Sequence, residues 1–133
     1  MYAIRRLTIF GLLVVQGFFA QQADASSAGV GVRIGQKNGS EVRLVIDLTR
    51  AVSFSVSVKT EPNRVVVDFS PINWSIPREQ TFDKGLIARY RVKRGGSDQS
   101  QIIVETRGSV SVEDAFLLTP RNHAFHRFVL DLR

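Results

Sequence analysis

The sequence predicts an all-β fold, a sandwich of two similar four-stranded sheets with an internal pseudo-twofold repeat, and three observations lead there. An Arg-x-Val-x-Asp phrase on an apolar run occurs as Arg43-Leu44-Val45-Ile46-Asp47, Arg64-Val65-Val66-Val67-Asp68 and Arg127-Phe128-Val129-Leu130-Asp131, with a weaker copy at Gln101-Ile102-Ile103-Val104-Glu105. A period of two sets the charged ends and the middle residue on one strand face and apolar side chains on the other. Residues 47–56 also match 105–112, and Glu61-Pro62 matches Thr119-Pro120, so both halves follow one plan. No stretch beyond the first 25 residues carries a helical period.

The opening segment stands apart. Arg5-Arg6, the apolar run from Leu7 to Phe19 and the small-residue site Ala23-Asp24-Ala25 describe a secretory signal peptide over residues 1–25. An uncleaved anchor is the alternative, disfavoured because the run is shorter than the ~20 apolar residues of a span. Cleavage after Ala25 leaves 108 of the 133 residues, 26–133, as one domain without a membrane span, working in the periplasm. With no cysteine in the chain, that domain has no disulfide and rests on burial.

Eight strands are expected, four in each half. The first half places them at 30–36, 41–48, 52–59 and 64–69, with a tight turn at Asn38-Gly39. The second half places them at 86–93, 101–106, 109–118 and 125–132, with a turn at Gly95-Gly96-Ser97-Asp98. The connector from Ser70 to Asp83, carrying Pro71, Trp74 and Pro77, is expected to cross from one sheet to the other. Two sheets with one apolar face each bury those faces together; a sheet closing into a small barrel is the competing outcome.

The formal charge is +6, and much of the excess is local. Arg78, Lys84, Arg89, Arg91, Lys93 and Arg94 stand against Glu79 and Asp83. On a strand, Arg89, Arg91 and Lys93 point the same way, which calls for an anionic partner or marks a solvated edge strand. Nucleic acid suits the charge, but the export signal and the lack of interleaved aromatics argue against it. For the repeated phrase, antiparallel pairing sets each Arg opposite an Asp, so the phrase selects register. In the alternative reading, Arg43, Arg64 and Arg127 offer guanidinium forks to a carboxylated ligand. Trp74, between prolines, either caps an open end of the sandwich or stacks on a sugar ring.

Catalytic chemistry finds no support. His123 and His126 have a His-x-x-His spacing without a third ligand, so no metal and no cofactor are expected. Ser53, Ser55 and Ser57 alternate as solvent-facing strand residues do, and no nucleophile elbow is present.

Taken in order, Val32-Arg33-Ile34-Gly35, the run Glu41 to Leu48, Pro62-Asn63 leading into Arg64 to Phe69, Gly85-Leu86-Ile87 and the run Arg127 to Leu132 resemble the AMIN domain. This is the N-terminal module of secreted bacterial N-acetylmuramoyl-L-alanine amidases. The resemblance covers nearly all of residues 30–133. It implies a β-sandwich that binds peptidoglycan and directs an amidase to the division septum; similar domains occur in outer-membrane secretins. It implies no enzyme activity here, because the zinc-bearing catalytic domain of the amidases does not follow Arg133. The chain is then an isolated module, a truncated gene product or the front of a zinc-dependent amidase. The expected ligand contacts are Arg89, Arg91, Lys93, Arg43, Arg64, Arg127 and Trp74, facing stem-peptide carboxylates and sugar. Division or envelope proteins are the alternative partners, recruited by strand addition.

Overall fold

The computed structural model describes residues 4–7, 13–14, 27–95, 99–121 and 124–133, with backbone alone at 4–7, 13–14 and 94–95. The strands among them are β1 Ile4–Leu7, β2 Leu13–Val14, β3 Ser27–Asn38, β4 Glu41–Leu48, β5 Phe54–Lys59, β6 Arg64–Phe69, β7 Ile72–Trp74, β8 Glu79–Thr81, β9 Ile87–Gly95, β10 Gln99–Thr106, β11 Val112–Leu118 and β12 His126–Leu132. There is no helix among the described residues. The β3–β4 turn uses Gly39 at φ +40°, the left-handed conformation expected of Asn38-Gly39. Most of the Gly95 to Asp98 turn and most of the segment read as a signal peptide lie outside the described residues.

The fold is the expected all-β sandwich. Its first sheet has the order β1-β11-β12-β4-β3-β7 and its second β2-β5-β6-β10-β9-β8. Neighbours are antiparallel except β3 and β7, which run parallel. Three corrections to the sequence reading follow. Each sheet has six strands rather than four, a four-stranded centre with short strands added at both edges. Neither half forms a sheet alone: each half contributes one hairpin to each sheet, so the halves interlock. The segments 47–56 and 105–112, matched in sequence, include the corners where the chain changes sheet.

These corners explain why β5 begins at Phe54 and β11 at Val112, later than expected. Val52 is 5% exposed and packs on the core, so the link between β4 and β5 folds over the end of the sandwich instead of forming a tight hairpin. Ser27 Oγ donates to Arg50 O at 3.0 Å and accepts from Arg50 N at 3.1 Å, and Thr49 N donates to Ala28 O at 3.0 Å, clamping the corner to β3.

The third correction concerns the connector. It leaves the second sheet after β6, lends β7 to the edge of the first sheet, and returns with β8 to the second, ending in the sheet where it began. Buried Ser100 makes the excursion possible: its Oγ accepts from Ile72 N at 2.9 Å and donates to Ile72 O at 3.1 Å. Such satisfaction of buried backbone groups is what lets a proline-flanked three-residue strand persist.

The core lies between the sheets. Leu44, Ile46, Leu48, Phe128, Leu130 and Leu132 from the first sheet meet Val56, Val65, Val67, Ile102, Val104 and Tyr90 from the second. Phe128 joins the layers, its ring edge-on to Phe54 at 5.0 Å and to Phe69 at 5.1 Å. Each fully buried side chain of this kind stabilises the fold by roughly 1.5–3 kcal/mol.

Candidate functional site

The four copies of the repeated phrase are the central strands of the two sheets, and they pair in one register. Arg43 lies opposite Asp131 and Asp47 opposite Arg127 between β4 and β12; Arg64 lies opposite Glu105 and Asp68 opposite Gln101 between β6 and β10. Each outer face is therefore laid out in three cross-strand rows. On the first sheet they read Gly31, Asp47, Arg127, Leu118; Arg33, Val45, Val129, Phe116; and Gly35, Arg43, Asp131, Asp114. On the second they read Arg89, Glu105, Arg64, Lys59; Arg91, Ile103, Val66, Ser57; and Lys93, Gln101, Asp68, Ser55. Where the second sheet carries Arg89 and Lys93, the first carries Gly31 and Gly35.

That difference opens a groove on the first sheet. A depression of about 420 Å³ is lined by Arg33, Gly35, Lys37, Arg43, Val45, Arg127 and Val129, among others. A Cβ added at Gly35 would meet nothing within 4 Å, so the glycine leaves this space clear. Four cations around it meet Asp47 and Asp131, and one of them, Lys37, also meets Glu41 at the rim. Asp131 accepts from Arg43 Nε at 2.7 Å and Nη2 at 2.9 Å, and from Lys37 Nζ at 3.1 Å. Asp47 accepts from Arg33 Nη2 at 2.9 Å and from Arg127 Nε at 3.2 Å.

The electrostatics follow from this sharing. Burial alone raises the Asp131 pKa, but the hydrogen bonds from Arg43 and Lys37 outweigh it and hold the carboxyl below the usual aspartate value. The same bond raises Arg43 further above its ordinary range. Arg43 also lies over the Phe116 ring, 5.8 Å from its centroid, a cation–π contact that helps fix the guanidinium. At the rim, Glu41 is ion-paired with Arg133 and lies 3.6 Å from Lys37, and its pKa is lowered, chiefly by the Arg133 hydrogen bond.

The expected stripe on β9 does point Arg89, Arg91 and Lys93 to one face, while Tyr90 and Val92 are buried on the other. The anion facing its two arginines is internal, however. Glu105 accepts from Arg89 at 2.7 Å and lies 3.4 Å from Arg91, and Glu79 accepts from Arg89 at 2.9 Å. Those two bonds, that to Glu105 first, raise the Arg89 pKa. Arg64 is turned onto its own hairpin, donating to Thr60 O at 3.2 Å and Pro62 O at 2.8 Å.

Trp74 and Lys93, expected in separate roles, come together. With Ile76, Arg78 and Val92 they line a cleft of about 540 Å³ at the end of the sandwich. One part of the indole packs on β3, where a Cβ at Gly29 would lie 2.6 Å from Trp74 Cε3, and Phe69 meets it edge-on at 6.1 Å. The capping role expected of Trp74 and a place in a cleft thus coexist.

Arg33, Gly35, Lys37 and Arg78 are not among the ligand contacts expected from the sequence. Gly31, Arg33, Gly35 and Lys37 alternate along β3, and that period of two was the readable signal for one-sided placement of the first two cations. Arg78 becomes part of a site only through the bond from Val92 N to Arg78 O at 2.8 Å. Among the described residues no three His, Cys, Asp or Glu side chains cluster as metal ligands, and His123 lies outside them. No helix of the described residues is long and apolar enough to cross a membrane.

Comparison with protein families matches the chain over residues 31–125 to the AMIN domain. Comparison with curated proteins finds no match. The matched span contains β4 to β11 whole, and with them both central hairpins of the second sheet.

Proposed function

The chain belongs to the AMIN-domain family, a non-catalytic peptidoglycan-targeting module of amidases and secretins, and from that premise we propose that it binds peptidoglycan through the cationic groove over its first sheet. AMIN domains occur in periplasmic or secreted proteins, and on this reading the module works in the periplasm after removal of residues 1–25. There it localises cell-wall hydrolysis, carried by an amidase, at the division septum.

The observation that carries the reading is that Arg33, Lys37, Arg43 and Arg127 outnumber the carboxylates they meet, Asp47, Asp131 and a Glu41 already paired with Arg133, around a groove that Gly35 keeps open. The carboxylates of the peptide stems, D-glutamate and diaminopimelate, complement that excess, and guanidinium forks suit them geometrically. Exposed charges of this kind bind weakly and salt-sensitively, which fits a ligand repeated at high density across a wall. The test is sedimentation of the protein with purified sacculi across a salt series, beside an unrelated basic protein of similar charge. Binding above that control, declining with salt, is expected; binding no better than the control overturns the reading.

A second reading has its own observation. β1 adds antiparallel to β11 and β2 to β5, so each sheet accepts an extended segment at its edge. An envelope or division partner recruited by strand addition would use those edges. Such binding would persist at high salt and respond to proline placed in β11.

A further inference from the structure

We propose that the Trp74 cleft is a second subsite, distinct from the groove, that takes an amino-sugar ring bearing a carboxylated arm. The proposal rests on the peptidoglycan reading above and names the part of the polymer that this cleft recognises.

The cleft pairs an aromatic wall with two cations. Trp74 and Ile76 are half-buried, and Val92 is 5% exposed, so the floor is apolar and fixed. Arg78 and Lys93 are exposed at its rim, with no carboxylate partner among the described residues. This sets them apart from Arg89 and Arg91 on the same sheet, whose charges Glu79 and Glu105 answer. The Val92 N to Arg78 O bond ties the backbone carrying Arg78 to the strand carrying Lys93, so the two cations belong to one rigid frame.

Trp74 Nε1 is buried and has no hydrogen-bond partner among the described residues, so the indole offers a bound sugar its ring and not its N–H. Pyranose rings present apolar C–H faces that stack on indole. A carboxylate on the same ring reaches Arg78 or Lys93. A volume of about 540 Å³ suits one or two sugar units rather than a folded partner. Single-stranded nucleic acid is a poorer fit, since one aromatic residue offers no succession of stacking platforms.

Trp74 is the only tryptophan of the chain, so its fluorescence reports the site directly. The full chain is titrated with a soluble disaccharide-peptide cut from sacculi, with a neutral N-acetylglucosamine disaccharide, and with the stem peptide alone. A saturable emission change with the disaccharide-peptide is expected, with affinity at least about tenfold weaker for the other two ligands. R78Q/K93Q is expected to weaken the disaccharide-peptide by about tenfold while the thermal midpoint stays in place. An unchanged midpoint of titration in R78Q/K93Q overturns the proposal. So does an absence of emission change while the protein still sediments with sacculi, and in that case the peptidoglycan reading stands on the groove alone. Loss of sedimentation as well would bring down both.

Discussion

Asp131 lies directly opposite Arg43 across the β4–β12 pair, 1% exposed, and its carboxylate takes two hydrogen bonds from that guanidinium, whose side chain is 38% exposed. The pair is asymmetric, and so are its mutants. Arg43→Ala leaves a buried carboxylate with Lys37 alone and is expected to cost about 3–5 kcal/mol. Asp131→Ala leaves a cation that still reaches water and is expected to cost about 1–3 kcal/mol. Urea denaturation of both single variants and the double variant measures this, with the double costing less than the sum of the singles.

Acid should weaken the fold through the same carboxylate. The folded-state pKa of Asp131 is depressed, so its stabilising contribution is fully present above the unfolded-state value and is lost as pH falls through the folded value. The window lies below about pH 4, near the midpoint of an unperturbed aspartate. Glu41, lowered chiefly by Arg133, acts in the same direction. Thermal midpoints from pH 6 to pH 2 are expected to fall more steeply for the wild type than for Asp131→Asn, which lacks the titrating group.

Two glycines of β3 should respond oppositely to the same methyl group. At Gly29 an added Cβ would sit 2.6 Å from Trp74 Cε3, so Gly29→Ala is expected to destabilise by about 1–3 kcal/mol and to shift Trp74 emission. At Gly35 the space is empty within 4 Å, and Gly35→Ala is expected to stay within about 0.5 kcal/mol of the wild type. Denaturation curves of the two variants decide it; equal effects would contradict the placement of Trp74.

Much of this arrangement was legible because period-two patterning and charge complementarity act locally. The Arg-against-Asp register, realised between Arg43 and Asp131 and between Arg127 and Asp47, follows from the self-complementary phrase, and the Asn38-Gly39 turn from the left-handed conformation of Gly39. The exchange of hairpins between sheets was not legible, because antiparallel complementarity says which phrases can pair but not whether they come from one half. β7, between Pro71 and Pro77, and β8, after Pro77, were not legible because three-residue strands carry too little pattern of their own, and β7 is held by a remote group, Ser100 Oγ. The groove was not legible because an absent side chain at Gly35 creates it, whereas the basic run of β9 stands out in the sequence although Glu79 and Glu105 answer its arginines.

Localisation follows from the proposed role. A fluorescent fusion of the full chain is expected to concentrate at division sites and to redistribute along the envelope when Arg33 and Lys37 are both changed to Gln. Uniform envelope fluorescence of the wild type would separate wall binding from septal targeting.

The central claim is that the open groove of the first sheet holds the wall. It is tested most directly by sedimentation of Gly35→Leu and Arg33→Gln/Lys37→Gln with purified sacculi at low salt, with thermal midpoints measured in parallel. Both variants are expected to lose about tenfold or more in binding with midpoints close to the wild type, since one fills the space and the other removes exposed cations. Undiminished sedimentation of both folded variants would contradict it.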